Sequence, residues 1–167
     1  DVLGMNGESL PRYVAVGLSA LFNFIESGGR IDCRRGRIAT PKIAERLLKA
    51  HPRMRESVAA IRSQKLFDGQ WVYCIHYLFT LVDNRLASEL VEVLRNGSPD
   101  VGRPFNVLRE QLIRCPRGSR KHTREWAAKM IKAFNAEYRR QRPKLIKFMC
   151  TEEFPEIEGL DVQKVIE

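Results

Sequence analysis

Long hydrophobic runs are missing from this chain of 167 residues. The longest nearly uncharged stretch, residues 69–82, is too short for a bilayer span and is interrupted by Gln70 and His76, so no membrane partner is expected. Paired cysteines are missing too. Cys33, Cys74, Cys115 and Cys150 lie 35 to 41 residues apart, without the C-x-x-C spacing of a structural zinc site. Residues 1–7 show neither an initiating Met nor a basic n-region with a signal-type apolar stretch, so the expectation is a fragment of a longer, cytoplasmic protein with reduced thiols. Aromatics are sparse at 8%, yet eight Phe, four Tyr and two Trp among many aliphatic residues suffice for one core, which excludes a disordered chain.

Catalytic signatures are equally scarce. Cys74 and His76 stand two apart, and on a helix such positions face different ways, so they form no nucleophile–base dyad. His76 lies in the most apolar stretch and reads as a hydrogen-bonded core residue, whereas His51 and His122 flank helices and read as boundary or surface positions. Gly28-Gly29 follows a helix instead of a strand, the reverse of the order a phosphate cradle needs. The acids Glu152, Glu153, Glu156 and Glu158 cluster where solvation is the ordinary role. No catalytic residue, metal ligand or cofactor is therefore assigned.

What the chain does have is positive charge, +9 overall, and it is concentrated. Residues 30–65 balance at +8 and residues 102–149 at +11, while residues 150–167 balance at −5. Clustered Lys and Arg point to a polyanion, because each neutralised phosphate releases condensed counterions.

Helical signals run through the sequence. Ser9-Leu10-Pro11 starts a helix whose Val14, Leu18, Leu21, Phe22 and Ile25 recur at helical spacing, ending at Gly28-Gly29. Thr40-Pro41 caps a second, with Ile43, Ala44, Leu47 and Leu48 inward and Lys42, Glu45, Arg46 and Lys49 outward, stopping near His51-Pro52. A third follows with Met54, Val58 and Ile61 inward. This adjacent pair raises a helix-turn-helix reading in which the later helix enters a major groove. Residues 71–82 are apolar all round and long for a strand, which predicts a central helix; Asp83 then caps residues 84–95, with Leu86, Leu90, Val93 and Leu94 inside. Pro104 opens a helix with Phe105, Leu108, Leu112 and Ile113 apolar. Thr123 caps the last long one, with Ala127, Met130, Ile131, Phe134 and Tyr138 inward and Arg124, Lys129, Lys132 and Arg139 outward. Residues 144–149 are a short strand or an extended arm. The expected architecture is all-α: a single globular bundle of about six helices over residues 1–149 with a short extended C-terminal arm, followed by an acidic surface tail over residues 150–167.

Two basic segments feed helix starts, where free amide groups also favour phosphate. Arg34, Arg35 and Arg37 precede Lys42 on the Thr40 helix; Arg120 and Lys121 precede Arg124 and Lys132 on the Thr123 helix. These eight are the candidate nucleic-acid contacts, with double-stranded DNA the expected ligand and phosphate the expected target. The alternative is a protein-interaction module, for instance a homo-oligomer, in which the charge is incidental.

Several short strings carry a resemblance: Asp1-Val-Leu-Gly-Met-Asn-Gly7, His51-Pro52, Arg55-Glu-Ser-Val58, Ile75-His-Tyr-Leu-Phe79, Pro104, Leu108-Arg-Glu-Gln-Leu112, Ile131-Lys-Ala-Phe-Asn-Ala136 and Glu153-Phe-Pro-Glu-Ile157. Together they resemble the C-terminal helical region of phage and mobile-element proteins that begin with a ParB/sulfiredoxin-like domain. The resemblance implies a DNA-associated accessory module whose partner is an upstream ParB-like domain. In that family an Asp-Gly-x-His-Arg type motif handles nucleotide or DNA; it is absent from this chain, so no nuclease or nucleotidase role is carried onto these residues.

Overall fold

The computed structural model describes residues 11–31, 33, 36–115 and 123–167. Among them are eight helices and no strand: α1 (Arg12–Glu26), α2 (Pro41–Ala50), α3 (Met54–Ser63), α4 (Gln70–Val82), α5 (Asn84–Asn96), α6 (Pro104–Arg114), α7 (Thr123–Tyr138) and α8 (Val162–Ile166). The all-α bundle expected from the sequence is present, with more helices than the expected six.

α4 is the axis. Its residues from Trp71 to Phe79 are all buried, and α1, α3, α5 and α7 pack around it. A helix apolar on every side has this one stable place in a bundle. Phe79 stacks on Phe134 of α7 with ring centroids 4.0 Å apart, a pair worth about 0.5–1.5 kcal/mol beyond the area it buries. The amphipathic neighbours turn their stripes inward as patterned: Ala44 and Leu48 on α2, Met54, Val58 and Ile61 on α3, Leu90, Val93 and Leu94 on α5.

Capping follows the sequence closely. The Thr40 hydroxyl accepts the Ile43 amide at 3.3 Å with Pro41 opening α2, and the Asp83 carboxylate accepts the Leu86 amide at 3.0 Å to start α5. α1 begins at Arg12 with Pro11 in the cap position, and the expected cap Ser9 lies outside the described residues. It ends where Gly28 and Gly29 take positive φ and return their amides to the carbonyls of Ile25 and Phe24. Thr123 is already the first helical residue of α7.

Several side chains sit differently from their pattern. Ile113 is 47% exposed and Tyr138 is 45% exposed, because each occupies the end of its helix and the margin of its apolar stripe. Lys129 is covered instead of projecting: its side chain is 12% exposed, its Nζ lies 4.3 Å from the Trp126 ring centroid, and it pairs with Glu125 at 3.0 Å. His51 is a core residue, not a surface one. It follows α2, its Nδ1 lies 2.6 Å from the Tyr77 hydroxyl, and it hydrogen-bonds the backbone of Val165. Burial pulls its pKa below the ordinary histidine value, against the weaker opposite effect of the Val165 bond.

The acidic segment that reads as a surface tail is tied to the bundle. Its carboxylates are largely exposed, but Ile157 and Val165 are buried in the common core, and Asp161 caps α8. Residues 144–149 form no strand; they run as an arm with Ile146 and Phe148 buried.

Side-chain amides hold the irregular segments in place. Gln111 accepts the Ile146 amide and donates to the Ile146 carbonyl, both at 2.9 Å, fastening the arm to α6. Asn135 on α7 donates to the Glu156 carbonyl at 2.8 Å and accepts the Glu158 amide at 3.0 Å. Asn106 bridges the Ser98 amide and the Val101 carbonyl in the same manner. Each clamp satisfies a main-chain donor and acceptor that no helix or strand would otherwise serve. Arg103 adds an ionic tie between α5, α6 and α7, donating to Glu89 and Glu137 at 2.8 Å each, while Glu137 also accepts the Phe105 amide at the start of α6.

Candidate nucleic-acid interface

Many cations among the described residues are already engaged. Arg62 lies 3.3 Å above the Tyr13 ring centroid and donates to the Tyr73 hydroxyl and Asp68; Arg53 pairs with Glu56 and donates to Asn84; Arg95, Arg103, Arg109, Arg139 and Arg142 each meet a carboxylate. α3 is therefore poorly suited to reading a groove. It packs against α1, α4 and α5, and Arg53 before it and Arg62 within it are spent on neighbours.

α2 is different. It packs chiefly on α1 through Ala44 and Leu48, and Lys42, Arg46 and Lys49 stand exposed with no ion pair among the described residues. At 3.6 residues per turn the three cations span an arc of only about 60°, opposite the buried stripe, along about 10 Å of helix. Glu45 is the single acid on this helix.

The approach to α2 is held firmly. Asn23 of α1 accepts the Arg37 amide at 3.0 Å and donates to the Arg37 carbonyl at 2.8 Å, and the buried Ser19 hydroxyl accepts the Ala39 amide at 3.1 Å. Gly36 makes this possible, since a Cβ there would collide with the Asn23 side chain. The Arg37 side chain remains exposed, with no ion pair among the described residues, three residues before the α2 cap.

The other candidates divide. Arg34, Arg35, Arg120 and Lys121 lie outside the described residues. Arg124 is half-buried, its guanidinium 5.3 Å from the ring centroids of both Phe148 and Phe154. Lys132 is committed to internal contacts, donating to Glu152 at 2.7 Å and to the Lys147 carbonyl at 2.6 Å, and this contact holds the Glu152 carboxyl below its usual range. Of the eight candidates the structure thus leaves Arg37 and Lys42 exposed, five residues apart across the start of α2, and it puts Arg124 and Lys132 in a separate cluster around Phe148 that fastens the arm. Arg46 and Lys49 join Lys42 although sequence reasoning did not single them out; the i, i+4, i+7 spacing from Lys42 was the available signal.

The histidines and the buried cysteine among the described residues are held in the core. No group of three His, Cys, Asp or Glu residues is placed to hold a metal among the described residues. His76 is enclosed, with Nε2 3.0 Å from the Ala87 carbonyl, and burial pushes its pKa down to about 4. The Cys74 thiol is fully enclosed and pushed up by the same desolvation, so thiolate is suppressed. A cleft of about 610 Å³ lies between the turn at Gly28-Gly29 and the segment around Phe154, lined by Phe24, Ile31, Leu160 and Val162, with Arg30, Glu153 and Glu156 also in its walls. It contains no nucleophile beside a base. No helix among the described residues is long and apolar enough to cross a membrane. No family model, curated protein or solved structure matches this chain.

Proposed function

We propose that this domain binds double-stranded nucleic acid through phosphate contacts from the outer face of α2, as an accessory module working beside a ParB-like domain in a phage or plasmid protein. The observation that carries the reading is the trio Lys42, Arg46 and Lys49, aligned within one narrow arc opposite the buried side of α2 and without carboxylate partners among the described residues. Unneutralised cations on a rigid helix favour a polyanion, and phosphate is the polyanion that rewards a linear array irrespective of base sequence. Arg37 adds a fourth contact at the helix start. The sequence resemblance to helical regions of ParB-like proteins supports the same class of ligand.

Each phosphate contact contributes about 0.9 to the slope of log K against log salt concentration on duplex DNA. The triple substitution Lys42→Ala, Arg46→Ala and Lys49→Ala is expected to flatten that slope by about 2 to 3 and to weaken binding equally on unrelated duplex sequences. A slope unchanged by the triple variant in salt titrations overturns the assignment. A tight oligomer in light scattering that ignores DNA favours the protein-interaction alternative.

A further inference from the structure

Ile38 is 85% exposed, the most exposed large apolar side chain among the described residues. A lone exposed aliphatic residue on a mobile loop asks for no explanation. Ile38 is not so placed. The residue before it is clamped at both its amide and its carbonyl by Asn23, and the residue after it is tied to the buried Ser19 hydroxyl, with Ala39 itself buried and Thr40 already capping α2. The fold therefore spends three hydrogen bonds from α1 on holding a β-branched side chain out into solvent. Such a side chain is stiff at χ1 and has little freedom left to lose on insertion into a partner. Its sequence neighbours include exposed cations: Arg37 immediately precedes it, and Lys42 follows four residues later in the first turn of α2.

From this we infer that Ile38 is a wedge that enters a base step of the duplex when α2 and Arg37 hold the phosphates, unstacking the step and bending the DNA. This rests on the proposed function and goes beyond it, because phosphate contact alone leaves the stack intact. Rigid apolar side chains beside cations are the means by which proteins kink duplexes from the minor groove, where contacts to width and deformability replace base-specific hydrogen bonds.

The test uses the full chain and a duplex carrying 2-aminopurine, whose fluorescence rises on unstacking, with a donor and an acceptor dye at the duplex ends to report bending. Wild-type protein is expected to raise the first signal and shorten the end-to-end distance. Ile38→Ala is expected to abolish both while keeping the salt slope, with affinity falling by about tenfold or less because the unstacking cost offsets what burial of the side chain contributes. Ile38→Leu is expected to retain both signals. Duplex binding with both signals silent, or equal signals from wild type and Ile38→Ala, overturns the wedge and leaves phosphate binding standing. Failure to bind duplex at low salt overturns both. Ile38-dependent binding to anionic lipid vesicles without duplex binding reassigns the side chain to a membrane surface and likewise overturns the wedge.

Discussion

Acid should unfold this protein through His76. The ring is enclosed on α4, with Nε2 at the Ala87 carbonyl and Nδ1 without a partner among the described residues. In the neutral form Nε2–H donates and Nδ1 is a bare acceptor; the charged form adds a second N–H with no acceptor in an apolar surrounding. Burial lowers the pKa from 6.5 to about 4, so between these values the unfolded chain binds a proton that the native chain refuses. Stability is thus fully present above the unfolded value and is lost as pH falls toward the folded one. Linkage makes the loss about 2 kcal/mol at about pH 5 and about 3 kcal/mol below the folded pKa. Urea unfolding at about pH 8 and about pH 5 measures it, with His76→Gln as the comparison, since the amide can still donate to Ala87 and has no proton to bind. The His51 contribution is common to both proteins and cancels. The variant should lose about 2 kcal/mol less than wild type over this interval; equal losses would refute the argument.

Two further predictions concern the packing of the bundle. Arg103→Ala strips the cation from Glu137, whose side chain is 11% exposed, and from Glu89, and should cost about 2–4 kcal/mol in denaturant unfolding. A cost under about 0.5 kcal/mol, the level of an ordinary surface ion pair, would show that the three-helix tie is dispensable. Val165→Asp places a carboxylate where α8 meets His51 and should remove several kcal/mol while opening residues 139–161 to limited proteolysis; undiminished stability with protease resistance would contradict the docking of the C-terminal segment.

Much of the helical frame was readable in the chain because its signals are local. Thr40-Pro41, Asp83 and Pro104 each announce a helix within three or four residues, and the stripes behind them predict their own burial. What escaped depends on distant partners. His51 reads as a boundary residue until Tyr77, 26 positions later, closes over it. α8 has five residues, too few for a periodic pattern, and Val165 docks beneath His51 through contacts that local sequence does not encode. The hold on Arg37 and Ala39 could not be read locally, because the side chains that supply it, Asn23 and Ser19, belong to α1. Among the candidate contacts, the cationic face of α2 was visible as a spacing, whereas the partial burial of Arg124 and the engagement of Lys132 follow from the arm folding back onto α7.

The amides of Asn23, Asn106, Gln111 and Asn135 grip only peptide groups, and every residue other than proline presents the same pair of atoms to such a grip. Exposed side chains of the connecting segments can therefore change with little effect on where the chain travels, and the charge displayed around α2 becomes a property that can be retuned while Gly36 and the buried anchors are kept. Conversion of one of these amides to a carboxylic acid, as ageing does to asparagine, replaces a donor with a second acceptor facing a carbonyl, so chemical damage at Asn23 would release the approach to α2 before it touched the core.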